Sequence, residues 1–119
     1  MRKILVVDDN LDYLELLASV LGKYFEVYEA TGVKDALRVL SDKEKGIEAI
    51  CSDYNMRDGT GLDLLEKARQ EGITIPFLLT SGDDDHVLKQ KARLYGGDFC
   101  SKTDCDFIER IKAFVKSET

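Results

Sequence analysis

Five short apolar runs, each halted by polar residues and most followed by a segment of helical periodicity, constrain this chain more than any other feature. Ile4-Leu5-Val6-Val7 is continuously apolar, as a strand covered on both faces requires, and it stops at Asp8. Asn10 is placed to cap a helix carrying Leu11, Leu14, Leu17, Ala18 and Leu21 at three- and four-residue spacing, closed at Gly22 or Lys23. Glu26 to Ala30 alternates polar and apolar residues and reads as an edge strand. Thr31-Gly32 opens a second helix with Val33, Ala36, Leu37 and Leu40 on one face, and Asp42 to Gly46 is a charged loop.

The unit then repeats. Ile47 to Cys51 predicts a third strand ending near Asp53, and residues 54–61 a turn-rich loop. Leu62, Leu65 and Ala68 mark a third helix, closed by Gly72. Pro76 to Leu79 predicts a fourth strand ending at Thr80-Ser81. Asp83-Asp84-Asp85 starts a fourth helix, roughly His86 to Tyr95, whose apolar face of Val87, Leu88 and Leu94 is interrupted by Lys89, Lys91 and Arg93. Asp98 to Ser101 is a last strand ending at Lys102. Asp104 is expected to cap a final helix with Phe107, Ile108, Ile111, Phe114 and Val115.

Five strands alternating with five helices over short connections imply an α/β fold. It is a doubly wound, five-stranded parallel sheet with helices on both faces, a three-layer αβα arrangement. At 119 residues the length fits one domain, 1–119, with nothing left over for a separate output module. Lys and Arg number 17 and Asp and Glu 23, and the excess of acid is shared by both halves, so no basic arm exists to bind nucleic acid. Three cysteines without CxxC spacing read as reduced cytoplasmic thiols, not a disulfide frame or zinc site. The apolar start ends after four residues, too short for a signal peptide, and no run approaches the ~18 residues of a membrane span.

In such a sheet functional groups gather at the carboxyl ends of the strands. Asp8 and Asp9 end the first strand, Asp53 the third, Thr80 and Ser81 the fourth, and Lys102 the fifth. One aspartate at a strand end usually caps the next helix; three in one pocket repel, by roughly 4 kcal/mol for unit charges about 4 Å apart at an effective dielectric of about 20. A proton, Lys102 or a hard divalent cation must offset this, and oxygen ligands with room for water suit Mg²⁺.

On Ile4 to Asn10, Ser52-Asp53-Tyr54-Asn55-Met56, Gly61 to Leu65, Leu79-Thr80-Ser81 and Lys102, the chain resembles the receiver domains of two-component response regulators over essentially its whole length. The resemblance implies a flavodoxin-like sheet of order 2-1-3-4-5. It implies that Asp53 is the phosphoacceptor for a histidine kinase or phosphotransfer protein, and that Asp8, Asp9, Asp53 and the main-chain carbonyl of Asn55 hold Mg²⁺. Lys102 would pair with a phosphoryl oxygen and Thr80 would hydrogen-bond another, with Thr80 and Phe99 acting as the switch. The fourth helix, fifth strand and fifth helix would form the output face for an effector protein or fused output domain, and a homodimer through that face is compatible with it. Such a chain assists its own phosphorylation and dephosphorylation without being an enzyme in the usual sense.

Departures from the family pattern carry their own expectations. The family follows its active-site Lys with Pro and a cis bond; here Thr103 stands there. A cis bond before a non-proline costs about 2.5–4 kcal/mol, so either a trans bond with a reshaped loop or a strained cis bond follows. Arg57 replaces the usual Pro in the loop after Asp53 and is read as solvated, and Gly96-Gly97-Asp98 is one residue short of the common loop. Asn55 and Gly82 occupy the positions that tune acyl phosphate lifetime, and His86 is read as a surface residue. The alternative is a pseudo-receiver, a protein-interaction module never phosphorylated. An aspartyl-phosphate phosphatase would need a second carboxylate where Asn55 stands.

Overall fold

The apolar runs pair side by side as one parallel sheet in the computed structural model, which describes residues 1–117. Its strands are β1 (Lys3–Val7), β2 (Glu26–Ala30), β3 (Ala49–Asp53), β4 (Phe77–Ser81) and β5 (Asp98–Ser101), in the order β2-β1-β3-β4-β5. The helices are α1 (Leu11–Leu21), α2 (Val33–Ser41), α3 (Gly61–Gln70), α4 (His86–Leu94) and α5 (Phe107–Ser117). The expected three-layer fold and strand order are therefore observed, with residues 118 and 119 of the expected domain lying outside the described residues. Among the described residues no helix is long and apolar enough to cross a membrane.

Successive strand residues point to opposite faces, and the sequence loads both with apolar groups. Leu5, Val7, Ile50, Phe77, Leu79 and Phe99 join the cluster under α2, α3 and α4, where Val33, Leu64, Leu88 and Ala92 meet them. Ile4, Val6, Cys51, Leu78 and Cys100 join the cluster under α1 and α5, with Leu14, Leu17, Leu21, Phe107, Ile111 and Val115. β2 is an edge strand with exposed Glu26 and Glu29, as its alternation predicts.

Several local expectations are corrected. β3 starts at Ala49 instead of Ile47, because its register with β1 begins at Ile4↔Ala49. β4 starts after Pro76, which has no N–H to give a ladder and contributes its carbonyl to Ile50 N–H at 2.9 Å. Leu11 is exposed at the start of α1, beyond the sheet it was expected to cover. On α4 only Leu88 and Ala92 are buried; Val87 and Leu94 are 57% and 81% exposed. At about 100° per residue those two lie about 120–140° round the helix from the Leu88–Ala92 stripe.

Asp104 does not cap the last helix with its side chain. α5 begins at Phe107, whose N–H donates to the Asp104 carbonyl at 3.1 Å, while the Asp104 carboxylate pairs with Arg110. The residues 54–61, expected as a loop, contain a small antiparallel hairpin of Asn55–Met56 and Gly59–Thr60. The short loop before β5 closes because Gly97 lacks a side chain: a Cβ there would sit 3.0 Å from Leu65 Cδ2 and 3.1 Å from the Phe77 carbonyl.

Candidate functional site

Four strand ends meet at one edge of the sheet. Asp8 follows β1 and is only 2% exposed; Asp9 beside it is half-buried. Asp53 closes β3 in register with Thr80 of β4, and Lys102 follows β5 directly. Backbone bonds pin these positions: Asp8 N–H to Ala30 O at 3.1 Å, Tyr54 N–H to Thr80 O at 2.8 Å, and Lys102 N–H to Ser81 O at 2.7 Å. Gly61 lets the returning chain press on Asp53, since a Cβ there would lie 2.4 Å from the Asp53 carbonyl oxygen.

The structure brings together Asp8, Asp9, Asp53 and Lys102. One carboxylate oxygen from each aspartate lies within 4.8 Å of the others. Lys102 Nζ donates to Asp8 Oδ2 at 2.8 Å and to Asp53 Oδ1 at 3.0 Å. Burial pushes the Asp53 carboxyl above the usual carboxylate range, although Lys102 pulls the other way. For Lys102 burial works against the ammonium, but its bonds to Asp8 and Asp53 outweigh this and hold it above the usual lysine value. Three hard oxygen donors this close, beside an open cleft of about 540 Å³ lined by Asp9, Asn10, Leu11, Asp12 and Arg57, form an acidic pocket able to hold a divalent cation with water.

Other expected residues stand slightly apart. Thr80 is buried and its hydroxyl donates to the Ser52 carbonyl at 3.3 Å, along the sheet. Phe99 is 4% exposed and already belongs to the α2–α3–α4 side cluster. Asn55 is exposed on the hairpin, opposite Thr60. Arg57 is exposed, lining the cleft beside Asp9. His86 is the exposed first residue of α4. The Lys102–Thr103 bond is trans, and the loop after it is held by Thr103 Oγ1 and Ser101 Oγ at 2.7 Å and by Asp104 N–H donating to Ser101 O at 3.3 Å. Cys51 and Cys100 are buried free thiols, pushed by burial up to about 12 and about 11.

Two contacts were not visible in the sequence. The Tyr13 ring lies under Lys102 Nζ, 4.2 Å from centroid to nitrogen. Asp58, on the hairpin after Asp53, caps α2 from outside: its carboxylate accepts Val33 N–H at 2.9 Å and Lys34 N–H at 3.0 Å, serving a helix whose own cap is Gly32. These backbone bonds hold the Asp58 carboxyl below the usual range. The only sequence signal for either was indirect: Tyr13 stands three residues after a helix cap, and Gly32 offers no capping side chain.

Comparison with known proteins gives a consistent picture. Residues 4–109 match the family model of the response regulator receiver domain. A two-component response regulator of Arabidopsis thaliana is 31% identical over 107 residues, covering 89% of this chain and 19% of that protein. The sensor histidine kinase RcsC of Escherichia coli strain K12 is 36% identical over 98 residues, covering 82% of this chain and 10% of that protein. The chain thus spans a fifth or less of these relatives' length. Among solved structures, the receiver domain of the Francisella response regulator 1452 superimposes with a TM-score of 0.86 at 22% identity, covering 100% of both chains. Chemotaxis protein CheY4 of Vibrio cholerae gives 0.83 at 22% identity, covering 100% of this chain and 99% of the other.

Proposed function

The chain belongs to the response regulator receiver domain family, and from that premise we propose that it takes a phosphoryl group onto Asp53 from a histidine kinase or phosphotransfer protein, using Mg²⁺. The observation that carries this reading is the convergence of the Asp8, Asp9 and Asp53 carboxylates with Lys102 bridging Asp8 and Asp53. Asp8, Asp9, Asp53 and the Asn55 carbonyl would hold the ion, which supplies neutralisation of charge on the transferring phosphoryl group.

Asp53 acts as the nucleophile. Its carboxylate oxygen forms the new bond to phosphorus as the phosphorus–nitrogen bond of the donor phosphohistidine breaks and the electron pair stays on the imidazole. Lys102 exchanges its contact with Asp53 Oδ1 for a phosphoryl oxygen, a charge-assisted bond. Thr80, whose hydroxyl has only the Ser52 carbonyl to leave, turns to another phosphoryl oxygen. Phe99 is already buried, so its part in the switch is repacking within the cluster it shares with Leu88 and Ala92, and α4, β5 and α5 form the face that responds. The effector is a separate protein or an output domain attached to this one. The free thiols of Cys51, Cys100 and Cys105 support a reducing, cytoplasmic setting. The chain is not an enzyme in the usual sense, since the group it reacts at is its own.

Incubation with Mg²⁺ and acetyl phosphate, read by intact mass, tests this. A metal-dependent adduct of one phosphoryl group, absent in Asp53→Asn, is expected. No adduct under any condition, with beryllofluoride also failing to bind, would leave a protein-interaction module in its place.

A further inference from the structure

We infer that Tyr13 is a positioning residue for Lys102, the aromatic wall that aims its ammonium at the phosphoryl group on Asp53; the inference rests on the phosphoacceptor reading above. A lysine ammonium has three N–H donors and no acceptor. Lys102 spends two of its contacts on Asp8 Oδ2 and Asp53 Oδ1, and the Tyr13 ring face closes another side at 4.2 Å.

The helix turn that carries the ring is tied to the same carboxylate as the charge. Tyr13 N–H donates to Asn10 Oδ1 at 3.1 Å, and Asn10 N–H donates to Asp8 Oδ1 at 3.0 Å. The other oxygen of the same Asp8 carboxylate takes Lys102. Asp8, Asn10, Tyr13 and Lys102 therefore form a closed ring of contacts. Tyr13 is also packed, partly buried, against the apolar cluster under α1 and α5, as is Ile108 of α5.

This geometry suits a cation that must change partners. Lys102 sits on a flexible four-carbon stem and keeps 20% of its side chain exposed, so water is open to it. Attraction to a ring face depends on the ring quadrupole rather than on a lone pair, so Nζ can turn from Asp53 Oδ1 to a phosphoryl oxygen without leaving the ring. An aliphatic side chain at this position would fill space and supply no such attraction.

Tyr13→Phe and Tyr13→Leu, made in the full chain, separate positioning from packing. The ε-methylene protons of Lys102 should resonate upfield of the other lysines, Lys112 over the Tyr24 ring at 3.6 Å excepted, in the parent and in Tyr13→Phe, and lose that ring-current shift in Tyr13→Leu, where Lys112 keeps its own. With Mg²⁺ and acetyl phosphate, Tyr13→Leu should gain its phosphoryl group about three- to tenfold more slowly, with Tyr13→Phe within about twofold of the parent and Mg²⁺ affinity unchanged in both. A parent without the upfield shift overturns the inference. So does a Tyr13→Leu variant at the parent rate, or one that loses Mg²⁺ binding together with its rate. A parent chain that shows the shift but takes no phosphoryl group breaks the phosphoacceptor reading, and the positioning role with it.

Discussion

Two groups of three aspartates follow strand ends in this molecule, and they behave in opposite ways. Asp83-Asp84-Asp85 is contiguous in sequence, and Asp83 and Asp84 are exposed to water; only Asp85 has a task, accepting Val87 N–H at 2.9 Å and Leu88 N–H at 3.2 Å to cap α4. Asp8, Asp9 and Asp53 come from two strands, lose much of their water, and bring one oxygen each within 4.8 Å. In water, like charges are screened and cost little; in a half-buried pocket the same charges demand Lys102 or a cation. Convergence with desolvation makes chemistry out of carboxylates that crowding along the chain does not.

The sharpest way to break this contrast is the metal response. At a hundredfold excess over its dissociation constant, Mg²⁺ should stabilise the folded chain by about 2.7 kcal/mol. Thermal melts should show that gain largely lost in Asp9→Asn and kept in Asp84→Asn; equal behaviour of the two variants would erase the distinction. Without divalent ions, Lys102→Met should cost about 2 kcal/mol in urea titrations, less than the 3–5 typical of a wholly buried pair because the lysine keeps some water. An unchanged midpoint would mean that the acidic trio needs no cation. In the contiguous trio, Asp85→Ala should cost about 1 kcal/mol through the lost cap, and Asp83→Ala and Asp84→Ala less than about 0.5.

The smallest expected effect is in pH. The carboxyl of Asp58 lies lower in the folded chain than in the unfolded one, where it titrates near about 3.9. Its contribution is therefore present above that value and lost as pH falls through the lower folded value. Asp58→Asn keeps a capping oxygen but has no charge to titrate, so its acid unfolding curve should be shallower over that interval. Identical curves for parent and variant would mean that Asp58 adds nothing through its charge.

Most of the fold was legible because it is local. The runs ending at Asp8, Asp53 and Thr80 name the strands, and a parallel sheet then puts those ends on one edge whatever the details of packing. Where the reading failed, a side chain had found a partner that hydropathy and spacing do not encode. Val87 and Leu94 looked inward by hydropathy, yet α4 turned Leu88 and Ala92 to the sheet. Asp104 looked like a cap, yet it pairs with Arg110. Arg69 gave no signal at all, yet its guanidinium ties α3 to the Ile73, Ile75 and Tyr95 carbonyls at 2.8, 3.0 and 2.7 Å.

The sequence by itself determined the alternation of strand and helix, the two apolar faces of the sheet and the edge at which Asp8, Asp9, Asp53, Thr80 and Lys102 gather, because periodicity and chain connectivity suffice for these. Only the tertiary structure decided how that edge is wired: Lys102 between two carboxylates and over Tyr13, Thr80 bonded along the sheet, the Lys102–Thr103 bond trans, and α2 capped by Asp58. Apart from that peptide bond, those contacts join residues far apart in the chain, and their strength depends on burial and on distances of a few ångströms that no local pattern encodes.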